Sequence, residues 1–413
     1  MALTPNGAGS TSDGVDGTLE VRVVGGLEGI AADAWDRLCG EHDPFVEHAF
    51  LSTLERAGAV GEGTGWVPLH VVAYDGDALV GALPLYLKDH SYGEYIFDWG
   101  WADASERMGM PYYPKLVSMA PVTPATGRRI LLAPEVESHD DERDRVTAAL
   151  LAGVREVAEL TKASSVHLLF VTEAERDLVT RLADFIPRLS MQFHWRSEGW
   201  SDFDAYLGAM RSSVRKQLRR ERRTAAESGL DIRVVPGDAL TAAEWRWMGR
   251  FYRDTCARKG SYPYLPERFF ELAADTLRAR ALAVIAYDAG EPVAATLNFQ
   301  KGQHLYGRYW GCRDDYPMLH FELCYYRLIE HAIAQGITRF EAGAQGSHKL
   351  KRGLMPAEVH SVHWIRQPVL RDAVSDFCRR EAVALRERID ELAEMGPFKT
   401  RNKKRGIGTR DRS

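Results

Sequence analysis

The stretches "VVAYDGDALVGALPLYLKD" (71–89) and "VIAYDAGEPVAATLNFQKG" (284–302) align without a gap, 213 positions apart in a chain of 413 residues. Each predicts an apolar strand, a turn with Asp and Gly, and a second apolar strand. After one inserted residue the alignment resumes, where "YGEY" (92–95) falls on "YGRY" (306–309), so we expect an aromatic strand to follow in both halves. The spacing predicts two similar domains, although two hairpins with such turns also resemble each other by chance.

The composition is that of a globular protein, with 45% hydrophobic and 27% charged residues. No apolar run approaches the ~18 residues of a membrane span, and residues 1–18 lack the pattern of a secretion signal. We therefore expect a cytoplasmic protein with a flexible leader at 1–18. The net charge of −5 argues against general nucleic-acid binding.

The cysteines and histidines do not indicate a metal site. The five cysteines are scattered without CxxC spacing, and the thirteen histidines form no paired-ligand motif. We expect reduced thiols and no bound metal. A cysteine hydrolase built on Cys312 or Cys324 would need an oriented histidine, and no third group is evident to orient one.

The second hairpin leads into a predicted strand–helix–strand unit. "HFELCYYRLIEHAIAQGI" (320–337) has helical apolar spacing and a natural end at Gly336. This helix joins a strand near 305–310 to another near 339–342, which favours parallel strands with a right-handed connection. Ligands of such sheets usually bind beyond the carboxyl ends of the strands. Gly311 and the loop 343–346 lie there.

A second predicted helix carries most of the clustered positive charge. After a linker near 195–205, "RSSVRKQLRRERR" (211–223) places Val214, Leu218 and Ala225 on one stripe, and Gly229 ends the helix. Six cations fan over the opposite face: Arg215, Lys216, Arg219, Arg220, Arg222 and Arg223. A solvated face and contact with an anionic group such as a phosphate both explain this pattern.

Two motifs carry a family resemblance. "VRKQLRRERRTAAESG" (214–229) is similar to the K-x-R-x-x-I-x-x-A-x-x-x-G helix, and "GSHKLKRGL" (346–354) to the G-L-Y-R-F-K-x-G-F motif, of Fem-type enzymes, which add amino acids to peptidoglycan precursors. Ser347 and His348 replace the usual Leu-Tyr. From about residue 20 to 398 the chain resembles tandem GNAT-fold transferases related to these enzymes, specifically a branch of predicted N-acyltransferases.

The resemblance implies an α/β fold of mixed sheets with flanking helices, in which two tandem GNAT-like domains face a central cleft. We expect these domains at 19–198 and 199–398, followed by a basic tail at 399–413. No metal cofactor is implied.

The resemblance also implies amide formation by transfer of an acyl or aminoacyl group to an amine. The donor would be acyl-CoA, a phosphopantetheine-bound acyl group on a carrier protein, or aminoacyl-tRNA. The acceptor would be an amine-bearing small molecule or a cell-wall precursor. The enzyme class expected is the GNAT-type N-acyltransferases, which transfer groups other than amino-acyl or aminoacyl groups. The alternative is a nucleic-acid-binding module that uses helix 211–223 without catalysis.

Amide formation requires a proton acceptor and donors for the developing oxyanion. Glu341, on the strand before the glycine loop, is a candidate base, although pairing with Arg308 would explain it as well. Lys351 is the candidate for steadying the oxyanion or a donor phosphate, in place of or beside backbone amides near Gly343 and Gly346. His348 is a second candidate for proton handling, or else a hydrogen-bonded loop residue.

Substrate contacts are expected from the basic helix, the second aromatic strand, the glycine loop and "FDWGWADA" (97–104) in the first half. Lys349 and Arg352 are expected at the surface, and buried, partnered acids would also explain the acids of the first half. The candidate substrate-binding residues are Arg215, Lys216, Arg219, Arg308, Tyr309, Trp310, Gly343, Gln345, Gly346, Lys349, Asp98, Trp101 and Asp103.

Overall fold

A computed structural model of the protein describes residues 19–343 and 346–399, with only the backbone of Ser347. The predicted leader, Gln345 and all of the basic tail beyond residue 399 lie outside the described residues. Within the described part of the chain, no helix combines the length and apolar character needed to cross a bilayer.

The first half of the chain alternates short strands with helices. Its strands are β1 (Leu19–Val24), β2 (Val67–Pro68), β3 (His70–Asp75), β4 (Ala78–Leu83), β5 (Tyr86–Lys88), β6 (Lys115–Ser118), β7 (Leu131–Leu132), β8 (Ser165–Val171) and β9 (Ile186–Arg196). Its helices are α1 (Ala32–Asp36), α2 (His48–Ala57), α3 (Trp99–Arg107), α4 (Pro134–Glu137), α5 (Asp140–Thr161) and α6 (Glu173–Leu182).

The second half repeats this alternation with longer strands. Its strands are β10 (Asp231–Pro236), β11 (Ala281–Asp288), β12 (Glu291–Lys301), β13 (His304–Cys312), β14 (Arg339–Glu341) and β15 (Met355–Ile365). Its helices are α7 (Phe203–Ala209), α8 (Ser212–Ala226), α9 (Ala242–Arg258), α10 (Glu267–Thr276), α11 (Leu319–Phe321), α12 (Arg327–Ala334) and α13 (Pro368–Glu394). A π-helical turn (Glu322–Tyr326) joins α11 to α12, and a 3₁₀ helix (Ser347–Arg352) precedes β15.

The strands form two sheets with helices against them, which confirms the predicted α/β fold class. The smaller sheet is antiparallel and the larger one is mixed. One sheet has the order β1-β3-β4-β7, and the other has the order β10-β11-β12-β13-β14-β9-β15-β8-β6-β5-β2. β6 runs parallel to β8, and β13 runs parallel to β14. The crossover between β13 and β14 contains the predicted helix, now seen to carry a π turn, a feature that is often found at functional sites.

The two hairpins of the repeat agree residue by residue. Val71 pairs with Leu83 in the first half, and Val284, 213 positions later, pairs with Thr296 in the second. Both hairpins also contain a register shift at the same point, after Ala73 and after Ala286. A shared irregularity adds to the shared turn chemistry, so the duplication extends to the strand register.

The aromatic strand predicted at 92–95 is wrong, because these residues form irregular turns. Gly93 has φ +81° and Tyr95 has φ +62°, both in the left-handed region, which a strand does not use. The equivalent "YGRY" lies within β13 as predicted. The difference follows from Glu94, whose buried carboxylate forms an ion pair with Lys115 instead of leaving residues 92–95 extended.

The two halves exchange their last strands. β9, from the first half, lies between β14 and β15, and β15, from the second half, lies between β9 and β8. The larger sheet therefore passes through both halves without a break. The predicted boundary between the two domains, at residue 198, lies just after β9 in the sequence. It stays a prediction.

Candidate functional site

Among the described residues, the parallel strands β13 and β14 pair at only three positions, from His304 with Arg339 to Tyr306 with Glu341. β13 then continues to Cys312, whereas the chain leaves β14 after Glu341. We call the gap between residues 307–312 and the described loop residues 342, 343 and 346 the split. The described part of the loop forms no strand pairing with this edge of β13, and an exposed strand edge can bind an extended ligand through main-chain hydrogen bonds.

Glycines set the width at the start of the split. A Cβ at Gly307 would lie 3.2 Å from the Phe340 ring and 3.5 Å from the Ala342 Cα. Gly343 has φ +79° and would place a Cβ 3.9 Å from the Gly307 carbonyl oxygen. A side chain at Gly307 would therefore fill the space in which the two strands begin to separate.

The 3₁₀ helix turns two of its cations inward. Lys349 is 2% exposed and Arg352 is 3% exposed, so the expectation of surface charges is wrong for both. Lys349 Nζ donates to the Gly343 carbonyl at 2.6 Å, and burial lowers the Lys349 pKa to about 8. Arg352 forms an ion pair with Glu221 of α8 at 2.7 Å and lies 3.4 Å from the centre of the Phe321 ring.

Lys351 and His348 take the outer side of the same turn. Lys351 is exposed, so it is available to contact a bound group. His348 is also exposed, and its Nε2 lies 3.0 Å from the Tyr325 hydroxyl. Desolvation, together with the positive charges of Arg352 and Lys349, lowers the His348 pKa. Its ring is therefore neutral at physiological pH and can accept a proton.

Two residues that the sequence did not single out as candidates for this site, His320 and Tyr325, lie beside the turn. The rings of Trp310 and His320 lie 5.1 Å apart, and burial lowers the His320 pKa to about 4. Tyr325 belongs to the π turn, which its apolar helical spacing did not distinguish from ordinary α-helix. Cys324 is a poor candidate for a nucleophile, because desolvation raises its pKa and favours the thiol.

Glu341 lies where the split begins and ties the second half to the first. One carboxylate oxygen accepts a hydrogen bond from the Thr126 amide at 3.1 Å, and the other lies 2.7 Å from the Arg339 guanidinium. Burial raises the Glu341 pKa, while Arg339 opposes the rise. The predicted alternative pairing with Arg308 is wrong, because Arg308 donates to the Val122 carbonyl at 2.8 Å.

The other two predicted residues of β13 have different surroundings. The Tyr309 ring packs against Tyr252 at 5.2 Å, and its hydroxyl, although buried, has no hydrogen-bond partner among the described residues. Tyr309 and Trp310 are both half-buried, at the edge of the split. An unsatisfied buried hydroxyl at a strand edge is the kind of group that a ligand or an ordered water satisfies.

The basic helix α8 forms as predicted, but acids neutralise part of it. Arg219 pairs with Asp204 at 3.2 Å, and Arg222 pairs with Glu322 at 3.0 Å. Arg215 is half-buried and directs its guanidinium to the Met210 carbonyl, whereas Lys216 is exposed. A cavity of about 410 Å³ beside the helix has a lining of both signs of charge: Asp202, Phe203, Asp204, Leu207, Arg219, Arg222 and Glu330.

The first-half candidates separate into two groups. Asp98 is buried and contacts Lys115 at 2.5 Å and the Tyr112 hydroxyl at 2.6 Å, as a partnered acid does. Trp101 is buried, with its ring 4.9 Å from His363. Asp103 lies on the exposed face of α3, away from this cluster. Asp98 and Trp101 therefore lie under the first-half surface, and Asp103 lies on it.

The described residues contain no group of three His, Cys, Asp or Glu side chains that is placed to hold a metal ion. All five cysteines are free thiols.

Three solved structures are similar to this chain, and the first of them shows the fold. The crystal structure of FemX aligns over 86% of this chain and 100% of that chain, with 11% identity and a TM-score of 0.50. A conserved protein from Bacteroides thetaiotaomicron aligns over 84% and 100%, with 11% identity and a TM-score of 0.49. A tandem GNAT protein from the clavulanic acid biosynthesis pathway aligns over 85% and 99%, with 13% identity and a TM-score of 0.43.

A search among curated protein sequences gives no match. The profile of the FemAB-like family, described as peptidoglycan biosynthesis/recognition, matches residues 26–400, which is most of the chain. The chain belongs to this FemAB-like family, and at family level it is an acyl- or aminoacyltransferase.

Proposed function

We propose that the protein forms an amide by direct transfer of an acyl or aminoacyl group from an activated donor to an amine. The observation that carries the proposal is the split, which has an open strand edge at residues 307–312, a buried carboxylate at Glu341 and a buried lysine at Lys349. The strand edge binds the extended arm of the donor. The two charged groups lie where its reactive carbonyl would be held.

The proton of the attacking amine goes to a base near the start of the split. Glu341 fits this role, because burial raises its pKa and so makes its carboxylate a stronger base. Lys349 supplies positive charge, and the amides of Gly343 and Gly346 supply donors for the oxyanion. His348 provides a second proton acceptor, and the exposed Lys351 contacts a phosphate of the donor.

The choice of donor rests on the family. The FemAB-like profile covers residues 26–400, and Fem-type enzymes add amino acids to their acceptors. We therefore favour the 3′ end of aminoacyl-tRNA, or an acyl carrier, as the donor. The proposed enzyme class includes transfer of aminoacyl groups.

The phosphates of such a donor have a place along α8. Lys216, Arg220 and Arg223 are exposed on that helix, and Arg215 and Arg219 lie beside them. Charged donors of this kind are made in the cytoplasm, where we place the reaction, with an amine-bearing small molecule or a cell-wall precursor as acceptor. A nucleic-acid-binding module without catalysis is not retained, because the chain belongs to a family of acyl- or aminoacyltransferases.

Single-turnover transfer tests the proposal. Labelled acyl or aminoacyl donors on CoA, carrier protein and tRNA are incubated with amine acceptors, and the amide is measured. Glu341→Gln and Lys349→Met should each lower the rate by about 10²–10⁴-fold. Lys351→Met should raise the donor KM. Arg379→Met, an exposed cation on α13, is the matched control and should have little effect.

The absence of an amide with every donor class would refute the proposed function. Normal rates in both the Glu341 and the Lys349 variants would leave the function standing and refute this placement of the site.

A further inference from the structure

Two residues of the first half adopt strained backbone conformations next to the split. Tyr95 has φ +62° and Val122 has φ +50°, in the left-handed region that a residue with a Cβ rarely adopts. Such conformations cost of order 1–3 kcal/mol each and persist where the surroundings over-determine them, often at active sites. The strain at Tyr95 and Val122 therefore suggests that this segment holds a functional group in position.

Tyr95 is held between two buried anchors. On one side, Glu94 lies 2.8 Å from Lys115 Nζ, and on the other Asp98 lies 2.5 Å from the same ammonium group. Lys115 Nζ also donates to the Ser91 hydroxyl at 2.7 Å. One fully buried lysine therefore fixes three points of the segment 91–98, and Tyr95 has little freedom to move away from the split.

The Tyr95 side chain meets Arg308 from the second half. The Arg308 guanidinium donates to the Val122 carbonyl at 2.8 Å and is within hydrogen-bonding reach of the Tyr95 hydroxyl. Burial raises the pKa of Tyr95 to about 12, and the charge of Arg308 opposes this rise. Arg308 follows Tyr306 by two positions on β13, which places it about 7 Å along the strand from the residue paired with Glu341.

We infer that Tyr95 is a catalytic residue of the proposed transfer, contributed by the first half, and that its phenol protonates the leaving oxygen of an ester donor. The inference rests on the proposed function. The amine nitrogen bonds to the donor carbonyl carbon, and Glu341 takes the proton that the nitrogen loses. When the carbon–oxygen bond breaks, its electron pair goes to the oxygen, which receives the Tyr95 proton. Solvent then returns a proton to Tyr95 and takes one from Glu341.

The need for this acid depends on the leaving group. An ester expels an alkoxide, which is too basic to leave readily without a proton, and the phenol of Tyr95 stays protonated at physiological pH. A thioester expels a thiolate, whose conjugate acid has a pKa of about 8.5, so it needs no such help. Tyr95 should therefore matter for one class of donor and not for the other.

The test compares one acyl group on two donors. Alanine is presented as the 3′ ester of a short RNA hairpin and as a pantetheine thioester, with hydroxylamine and a lysyl tripeptide as amine acceptors. Tyr95→Phe should lower kcat with the ester by about 10²–10⁴-fold. With the thioester it should lower kcat less than tenfold. Tyr92→Phe, at an exposed tyrosine of the same segment, should change neither rate.

The outcomes separate this inference from the proposed function. The role of Tyr95 would be overturned if Tyr95→Phe lowered kcat equally with both donors or did not lower kcat with the ester. It would also be overturned if the wild-type protein transferred alanine from the thioester but not from the ester. In all three cases the proposed transferase function would still hold. No amide from either donor would count against the proposed function itself. A melting temperature of the Tyr95 variant within about 2 °C of wild type excludes unfolding as the cause of a loss.

Discussion

Compared with a methionine at the same position, Lys349 should lower the stability of the folded protein while it supports amide formation. Its pKa falls from 10.5 to about 8 through burial, and each pKa unit corresponds to about 1.4 kcal/mol. Keeping the ammonium charged in the folded state at pH 7 therefore costs about 3 kcal/mol. The hydrogen bond to the Gly343 carbonyl offsets about 1–2 kcal/mol of that cost. Lys349→Met should thus raise the free energy of unfolding at pH 7 by about 1–2 kcal/mol, and amide formation should be lost.

The pH dependence gives a sharper prediction than the value at one pH. Between pH 8 and 10.5 the unfolded chain binds a proton at Lys349 that the folded chain has released, so wild-type stability rises with pH in this window. From pH 7 to 9.5 the free energy of unfolding of the wild type should increase by about 2 kcal/mol relative to that of the Lys349→Met variant. Taking the difference between the two proteins removes the contributions of all other titrating groups.

Urea unfolding at half-unit steps of pH, followed by tryptophan fluorescence, measures this difference. Lys351→Met is the matched control, because it removes an exposed lysine from the same turn and should change stability by less than about 0.5 kcal/mol. A constant stability difference between wild type and Lys349→Met at every pH would refute the assignment of a lowered pKa. A destabilised variant at pH 7 would show that the hydrogen bond outweighs the cost of burial.

Three further perturbations have defined outcomes. Arg352→Met leaves a buried carboxylate partner without its cation and should cost about 3–5 kcal/mol in urea unfolding. Gly127→Ala would drive a Cβ into a carboxylate oxygen of the buried Asp43 and should lower the melting temperature by several degrees, whereas Gly100→Ala, with open space in helix α3, should leave it unchanged or raise it. The buried His167 has its pKa lowered to about 3, so the folded state resists its protonation and stability should fall as the pH drops from 6.5 towards 3. Acid titration of a His167→Gln variant should show a shallower fall, and an unchanged slope would contradict a neutral buried ring.

The sequence predicted what depends on local pattern. The hairpin alignment at 71 and 284 is found again as the same strand register with the same irregularity, because alternating apolar residues and an Asp/Gly turn fix pairing within a short segment. The helix over 320–336 and the basic helix near 212–226 follow for the same reason, since their 3.6-residue periodicity is a local property. The match to Fem-type motifs indicated the family.

Whether a charged side chain is buried or exposed depends on partners that are distant in the sequence. Arg352 and Lys349 lie beside Lys351 in one turn, yet two are buried and one is exposed. What separates Arg352 from Lys351 is Glu221, 131 positions away, and no spacing within the turn encodes that contact. In the same way, Glu94 and its buried lysine, 21 positions apart, remove the strand that "YGEY" predicts.

The sequence by itself thus determined the repeated units, their helices and strands, and the family, because short-range periodicity and turn chemistry act within a few residues. The tertiary structure alone decided the exchange of β9 and β15 and the meeting of Tyr95 with Arg308. It also decided which cationic side chains are buried. Burying a charge is tolerated only when a polar or oppositely charged partner lies beside it, and the fold brings that partner from a distant part of the sequence.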